Sequence, residues 1–360
     1  MIRAEPILRR RLENFSTSKP QWNLPRDLPA QKEPTDRVDH QVMTNQKTDI
    51  LRLGTRSSAL ALWQANWVKS TLERQWPGLT VEVVPIKTTG DKILNVPLAD
   101  VGGKGLFTKE IDDALLTDRI DVAVHSMKDI PYQLPNGIDF GAIPEREDSH
   151  DAFVSNGRML GDLPPGAVIG TSSLRRQVQL RHRFPSIRLV PLRGNVDSRL
   201  KKVASGEFDG IVLALAGLKR LGQENVVTQI IDESLMLPAV GQGALGIACR
   251  SGDNAVREKL AALDHFPTRL AVSAERGLLA VLEGSCKVPI AGHAKLVNGC
   301  ITMRGLVANL SGTVVIAEEI TGDADNISAA RELGLKLGKQ LVARGAGAIL
   351  AEISQSGAAR

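Results

Sequence analysis

A short apolar run that ends in Gly-Thr and opens at once into a helix occurs twice in this chain. Ile50 to Gly54 leads into Thr55-Arg56-Ser57-Ser58 and a helical stretch from Ala59 to about Gln75. Val168-Ile169-Gly170 leads into Thr171-Ser172-Ser173, a helix-start signal, and a helix to about Arg183. Each run is followed by further strand–helix alternation. Such alternation requires crossover connections, and crossovers build largely parallel sheets. The alternation implies an α/β architecture, and the recurring Gly-Thr turn hints at two similar lobes without establishing a repeat.

The first unit continues with strand Val81 to Ile86 after a stop at Pro77-Gly78, helix Thr108 to Leu116 and strand Ile120 to Val124. In its first helix, Leu62, Trp63, Val68 and Leu72 form the predicted buried stripe. The second unit adds strand Ile187 to Pro191, helix Val196 to Ala204 and strand Ile211 to Ala214. The Gly-rich segment from Val240 to Gly246 returns to strand-like Ile247-Ala248-Cys249, as two lobes joined by crossing strands need. From about Phe266 the pattern changes to helix Thr268 to Leu282, strands Ile301 to Leu306 and Val314 to Ile320, and a helix near Ala329 to Ala343. That is a small α+β domain. A length of 360 residues at 42% hydrophobic composition also exceeds one ordinary core.

Residues 1–48 have prolines, scattered charges and no apolar period, and read as a disordered extension. Arg9-Arg10-Arg11 suggests organelle targeting as the alternative, but the acids Glu5, Glu13 and Asp27 are unusual in a transit peptide. No apolar run approaches a membrane span. Three cysteines, Cys249, Cys286 and Cys300, without a CxxC pair argue against a disulfide framework and a zinc site, so no metal is expected. A reducing, cytoplasmic setting is the simplest reading.

The densest chemical signal lies between Thr171 and Arg199. That window holds Arg175, Arg176, Arg181, Arg183, Arg188, Arg193 and Arg199, no lysine and one acid, Asp197. Guanidinium forks grip carboxylate or phosphate in a bidentate way. Helix N-termini beside them add N–H donors. The alternative is a solvated basic helix face. Thr55-Arg56-Ser57-Ser58 repeats the arrangement in the first unit, with a simple N-cap as its plain alternative. His125-Ser126-Met127-Lys128-Asp129 puts an acid and a base together at a strand end, where each shifts the other's ionisation. Val101-Gly102-Gly103-Lys104-Gly105-Leu106-Phe107 is a flexible loop, a candidate lid carrying Lys104 and Phe107. It lacks the spacing of a nucleotide P-loop. Cys286 follows Gly284 beside Lys287, where a loop thiol can be partly ionised and reactive; an ordinary loop cysteine is the plain alternative. Cys249, in an apolar strand, reads as core.

Taken together, these segments resemble the porphobilinogen deaminase family. The resemblance rests on Gly54 to Leu62, Val101 to Phe107, Val124 to Asp129, Gly170 to Gln177, Leu192 to Val196, Ala216 to Gly222, Pro238 to Gly243 and Leu282 to Pro289, in family order. It implies two periplasmic-binding-protein-like lobes with mostly parallel sheets, one over residues 49–145 and 243–262 and one over 146–242. A small α+β domain over 263–360 carries the cofactor cysteine. It implies a dipyrromethane held by a thioether to Cys286, and stepwise condensation of four porphobilinogen molecules into hydroxymethylbilane with release of ammonia. Asp129 matches the catalytic carboxylate, which assists ammonia loss and stabilises the azafulvenium cation. Arg56, Ser58, Lys128, Thr171, Ser172, Ser173, Arg175, Arg176, Arg193, Arg199 and Arg220 match positions that bind cofactor or substrate. Each pyrrole carries an acetate and a propionate, so the growing chain is a polycarboxylate, and charge-assisted bonds of roughly 1.5–3 kcal/mol each hold it.

Two residues depart from the family pattern. Asp100 stands before the lid glycines where some members have a basic residue, and Ser285 stands where a glycine often precedes the cysteine. The reading from another class is a non-catalytic two-lobed anion receptor or regulator, which needs the arginines but neither Cys286 nor Asp129. Nucleic acid is not an expected partner, since aromatic residues make up 3% and form no stacking platform. No membrane is expected either, and a monomer is the expected state.

Overall fold

The computed structural model describes residues 49–92, 105–282 and 288–358. The expected extension, Lys104, Gly284, Ser285 and Cys286 lie outside the described residues. In the first lobe β1 (Asp49–Thr55), α1 (Ala59–Gln75), β2 (Leu79–Pro85), α2 (Thr89–Lys92), α3 (Lys109–Leu116), β3 (Val122–Ser126) and β4 (Ile138–Ala142) follow in order. The second holds β5 (Asp151–Ser155), β6 (Val168–Gly170), α4 (Leu174–Arg183), β7 (Arg188–Val190), α5 (Val196–Ala204), β8 (Gly210–Ala214), α6 (Leu215–Arg220) and β9 (Gln229–Ile231). The chain then returns to the first lobe through β10 (Leu245–Arg250) and α7 (Asn254–Ala261).

The two sheets have matching orders, β2-β1-β3-β10-β4 and β7-β6-β8-β5-β9. In each, three adjacent strands are parallel and the strand that has just crossed from the other lobe runs antiparallel to both its neighbours. Four strands of five thus point one way. The expectation of largely parallel sheets holds, with β5 and β10 as the exceptions that the double crossing imposes.

Helix α1 packs Ala65, Val68 and Leu72 on Leu51, Leu53, Val81, Val122 and Val124. Its fully covered face is Ala61, Gln64, Ala65, Val68 and Leu72, while Leu62 and Trp63 are only partly covered. Small alanines bring the helix close to the sheet and turn the larger side chains to its flank. Cys249 is fully buried in this core.

The third unit stacks α8 (Phe266–Leu282) and α9 (Ile327–Leu341) on one face of an antiparallel sheet, β11 (Ile290–Val297), β12 (Cys300–Ala308) and β13 (Val315–Asp323), with α10 (Gly347–Ala358) at the end. Glu275 of α8 is fully buried and ties this unit to both crossings. It accepts from Arg146 Nη1 at 2.6 Å on the first crossing, from the Gly241 N–H at 2.6 Å on the second, and from the Ala294 N–H at 2.9 Å on β11. The second crossing needs its glycines. Gly241 and Gly243 have φ of 71° and 88°, and a Cβ on Gly243 would lie 2.2 Å from the Glu147 carbonyl oxygen. Among the described residues no helix is long and apolar enough to cross a membrane.

Candidate functional site

The carboxyl ends of β1, β3, β6, β7 and β8 converge on one cleft, where open α/β sheets present their ligand-binding turns. A cavity of about 500 Å³ occupies it. β1 delivers Arg56 and Ser58, and Ser58 caps α1 by accepting the Ala61 N–H at 3.3 Å. β3 runs into one 3-10 turn, Met127–Asp129, which brings Lys128 and Asp129 to the wall. β6 gives Ser172 and Arg176, β7 gives Arg193 and Arg199, and β8 gives Arg220 on α6. Phe107 closes one side with its ring 4.3 Å from the Arg56 guanidinium carbon.

The lining holds six cationic side chains, Arg56, Lys128, Arg176, Arg193, Arg199 and Arg220, against three acids, Asp91, Asp129 and Asp197. Among the described residues Arg199 donates from Nε to the Gly194 carbonyl at 2.9 Å, and Arg220 from Nη2 to the Gly243 carbonyl at 2.6 Å. Burial, reinforced by Arg176 and Arg193, lowers Arg199 to about 10; burial, opposed by Glu147, also brings Arg220 to about 10. Lys128 is open to the cavity but enclosed by protein beyond it. That enclosure pushes its ammonium down to about 8, with Asp129 pulling it up and Arg176 and Arg175 pushing it down. The cleft therefore carries a positive potential that only an anion relieves.

Not every expected residue faces the cavity. Arg175 is buried behind it, donating to Asp151 Oδ2 at 2.7 Å, to the Leu237 carbonyl at 2.8 Å and to Gln242 Oε1 at 3.4 Å. Its side chain is absent from the lining because Asp151 and the second crossing hold it. Thr171 is buried and accepts the Ser173 N–H at 3.3 Å. Ser173 occupies the N-cap of α4 without a side-chain capping bond, and neither residue lines the cavity. Ser172 does, with its hydroxyl donating to the Leu192 carbonyl at 2.9 Å. Arg181 and Arg183 reach the Leu310 and Ser234 carbonyls elsewhere, and Arg188 is exposed.

Three residues escaped the sequence reading. Asp151 is fully buried and receives both Arg175 and Arg176, the latter at 3.0 Å from Nε and 2.7 Å from Nη2. Burial pushes its carboxyl up, but the two guanidiniums outweigh this and hold it well below the usual carboxylate range. Gln242 donates to Asp151 at 3.0 Å and to the Ser149 carbonyl at 2.7 Å. Asp91 binds Arg56. The available signal for Asp151 was an acid directly opening the apolar run Ala152-Phe153-Val154.

Fold and cleft define a two-lobed α/β protein whose cleft gathers cationic side chains around one lysine–aspartate pair. The sequence model for the dipyrromethane cofactor binding domain of porphobilinogen deaminase matches residues 51–258, and that for its C-terminal domain matches residues 269–343. A porphobilinogen deaminase of Geobacter sulfurreducens is 52% identical over 305 residues, covering 85% of this chain and 95% of the relative. One from Nitratidesulfovibrio vulgaris is 54% identical over 312 residues, covering 86% and 98%. The chain belongs to the porphobilinogen deaminase family. Its relatives are named as enzymes, and the receptor alternative finds no support among them. Among solved structures, the periplasmic aliphatic sulphonate binding protein of Escherichia coli aligns at a TM-score of 0.37 and 14% identity, over 65% of this chain and 75% of that one.

The two classes of arginine separate by experiment. Arg175→Gln leaves Asp151 short of a partner and costs about 3–5 kcal/mol of stability in urea unfolding. Arg199→Gln changes stability by less than about 1 kcal/mol but weakens retention of a polycarboxylate. Equal loss of anion affinity in both variants contradicts the assignment.

Proposed function

We propose that this chain is a working porphobilinogen deaminase. It condenses four porphobilinogen molecules into hydroxymethylbilane, releasing ammonia, on a dipyrromethane attached to Cys286. The observation that carries this reading is the surplus of cationic over acidic side chains converging from both lobes on the cleft that holds Asp129. The domain divisions we assign are residues 49–145 with 243–262, 146–242, and 263–360. The buried thiol of Cys249 fits a reducing, cytoplasmic setting. We take the active unit to be a monomer, because both lobes of one chain line the cavity.

The residues present fit a dipyrromethane. Lys128 makes no hydrogen bond or ion pair among the described residues, and Arg199 and Arg220 bond only to backbone carbonyls. Lys128, Arg176, Arg193, Arg199 and Arg220 would bind its carboxylates, with Ser58 and Ser172 as hydroxyl partners. Thr171, Ser173 and Arg175 support that set from behind. When bound, the group supplies an electron-rich pyrrole carbon as nucleophile and a tether for the growing product.

The chain's own residues then have separable tasks. Arg56 and the lobe-2 arginines orient incoming acetate and propionate groups, which fixes the pyrrole ring relative to Asp129. The Asp129 carboxylate accepts a hydrogen bond from a pyrrole N–H and faces the positive charge that develops as the substrate's aminomethyl nitrogen leaves as ammonia. Lys128 neutralises a carboxylate beside it. Phe107 borders the cavity, and the lid role expected of Lys104 falls outside the described residues.

Three outcomes follow from these roles. The intact mass of purified protein exceeds the chain mass by two pyrrole units, and Cys286→Ser removes the increment; active protein of unmodified mass contradicts the reading. Asp129→Asn keeps the increment but slows turnover by about 10²–10⁴-fold. Near-normal ammonia release by that variant removes Asp129 from the mechanism. Lys128 is charged below about 8 and loses its proton as pH rises through that value. A carboxylate bound beside it raises the value further. The alkaline fall in kcat/KM therefore begins at pH 8 or above, and Lys128→Arg shifts it upward. A fall that Lys128→Arg leaves in place contradicts this role.

A further inference from the structure

Of the six cations lining the cleft, Arg56 stands apart in how it is held. Asp91 accepts from its Nη2 at 2.5 Å and its Nε at 3.1 Å, taking one full edge of the guanidinium fork. Phe107 covers its face. Arg176 also pairs with an acid, but Asp151 is fully buried behind the wall. Asp91 is different: its side chain keeps 20% of its exposure, and it lines the cavity beside the arginine it neutralises.

We propose that Asp91 is a built-in competitor for Arg56, a carboxylate of the chain itself occupying the guanidinium edge that a substrate carboxylate takes. The proposal rests on the assignment of Arg56 to substrate or cofactor carboxylates. Two features make the exchange reversible. Asp91 keeps partners when Arg56 leaves, since it also accepts from the Thr88 N–H at 3.2 Å and the Thr88 hydroxyl at 2.8 Å. Its charge is thus not stranded, and the cost of a buried unpaired carboxylate is avoided. The pair is also wet enough for exchange, with the Arg56 side chain 25% exposed. Burial pushes Asp91 up, but Arg56 and Thr88 together hold it below its ordinary value, so it competes as a carboxylate at neutral pH.

Asp91 also adjoins a closed loop base. The Gly90 N–H donates to the Leu106 carbonyl at 2.8 Å, and Thr89 donates from its backbone N–H to Glu110 at 2.8 Å. The acid therefore comes to Arg56 on a fixed support, on the same wall as Phe107. A substrate carboxylate that wins Arg56 breaks the ion pair on that support. Asp91 sets the affinity threshold for a first carboxylate contact and so bears on specificity: a ligand with one weak acid group does not displace it, whereas one with two carboxylates has the other cations of the cleft to hold it meanwhile.

The test is steady-state kinetics of the holoenzyme with porphobilinogen for Asp91→Asn, Asp91→Glu, Arg56→Gln and the double variant Asp91→Asn/Arg56→Gln. Asp91→Asn keeps the Thr88 contacts and removes the competing charge, so KM falls about two- to fivefold, the range of a part-exposed ion pair. Asp91→Glu keeps the charge and leaves KM close to the parent value. Arg56→Gln raises KM, and in that background Asp91→Asn has no effect. A higher or unchanged KM for Asp91→Asn overturns the proposal; a higher one makes Asp91 a residue that positions Arg56. An unchanged KM for Arg56→Gln instead overturns the assignment of Arg56 on which the proposal stands. Asp91→Ser provides the same readout if the asparagine variant unfolds.

Discussion

One buried carboxylate organises the cationic half of this protein. Asp151 opens β5 at the point where the chain has crossed into the second lobe. It receives Arg175, Arg176 and Gln242, two side chains from the first turn of α4 and one from the returning crossing. Two adjacent desolvated guanidiniums repel each other and favour water. Here each finds hydrogen bonds on one anion, and Arg176 also donates from Nη1 to the Val212 carbonyl at 2.8 Å. The start of α4, the middle of the sheet and the second crossing are thereby locked in register. Burying such a group is weak support for stability in itself; its effect is to fix where α4 begins, and with it the wall formed by Ser172 and Arg176.

From that anchor the rest of the cleft follows. Asp151 takes Arg175 and one edge of Arg176, and the other cations at the strand ends have few protein acids to answer them. Among the described residues Arg199 and Arg220 hydrogen-bond to backbone carbonyls, which orient a guanidinium without neutralising it. The second crossing contributes through Gly243, whose carbonyl holds Arg220 while its backbone lies too near Glu147 for a side chain. Glu275 links the same crossing to the third unit. Through Glu275 the third unit is thus joined by hydrogen bonds to the backbone of the crossing that borders the cleft.

The strand–turn–helix repeats made the two lobes legible, because periodicity and Gly-Thr turns are local signals. Helices Ala59–Gln75 and Val196–Ala204 fall where the apolar spacing puts them. Strands β4, β5, β9 and β11 were not read. They are short or carry glycine and polar residues such as Gly141, Asp151 and His293, whose burial only tertiary partners explain. The same limit applies to the site. A cluster of arginines is visible in sequence, but which guanidinium faces a ligand and which faces a buried acid depends on residues far away in the chain. Arg175 and Arg176 are neighbours with matching side chains, and both reach Asp151 in another strand; Arg175 is turned from the cleft by the Leu237 carbonyl and Gln242, while Arg176 still borders it. Asp91 was invisible for the same reason, since nothing in Thr88 to Lys92 marks it as the partner of Arg56.

On the proposed reading the cavity-facing cations hold carboxylates while Arg175 stays with Asp151, and a crystal structure of the holoprotein distinguishes this from other arrangements. Ligand carboxylate oxygens are expected within hydrogen-bond distance of Lys128, Arg176, Arg193, Arg199 and Arg220, with a pyrrole N–H on Asp129, a thioether at Cys286, and Arg175 still on Asp151. Ligand carboxylates bound to Arg175, or lying away from the five cleft cations, would contradict it.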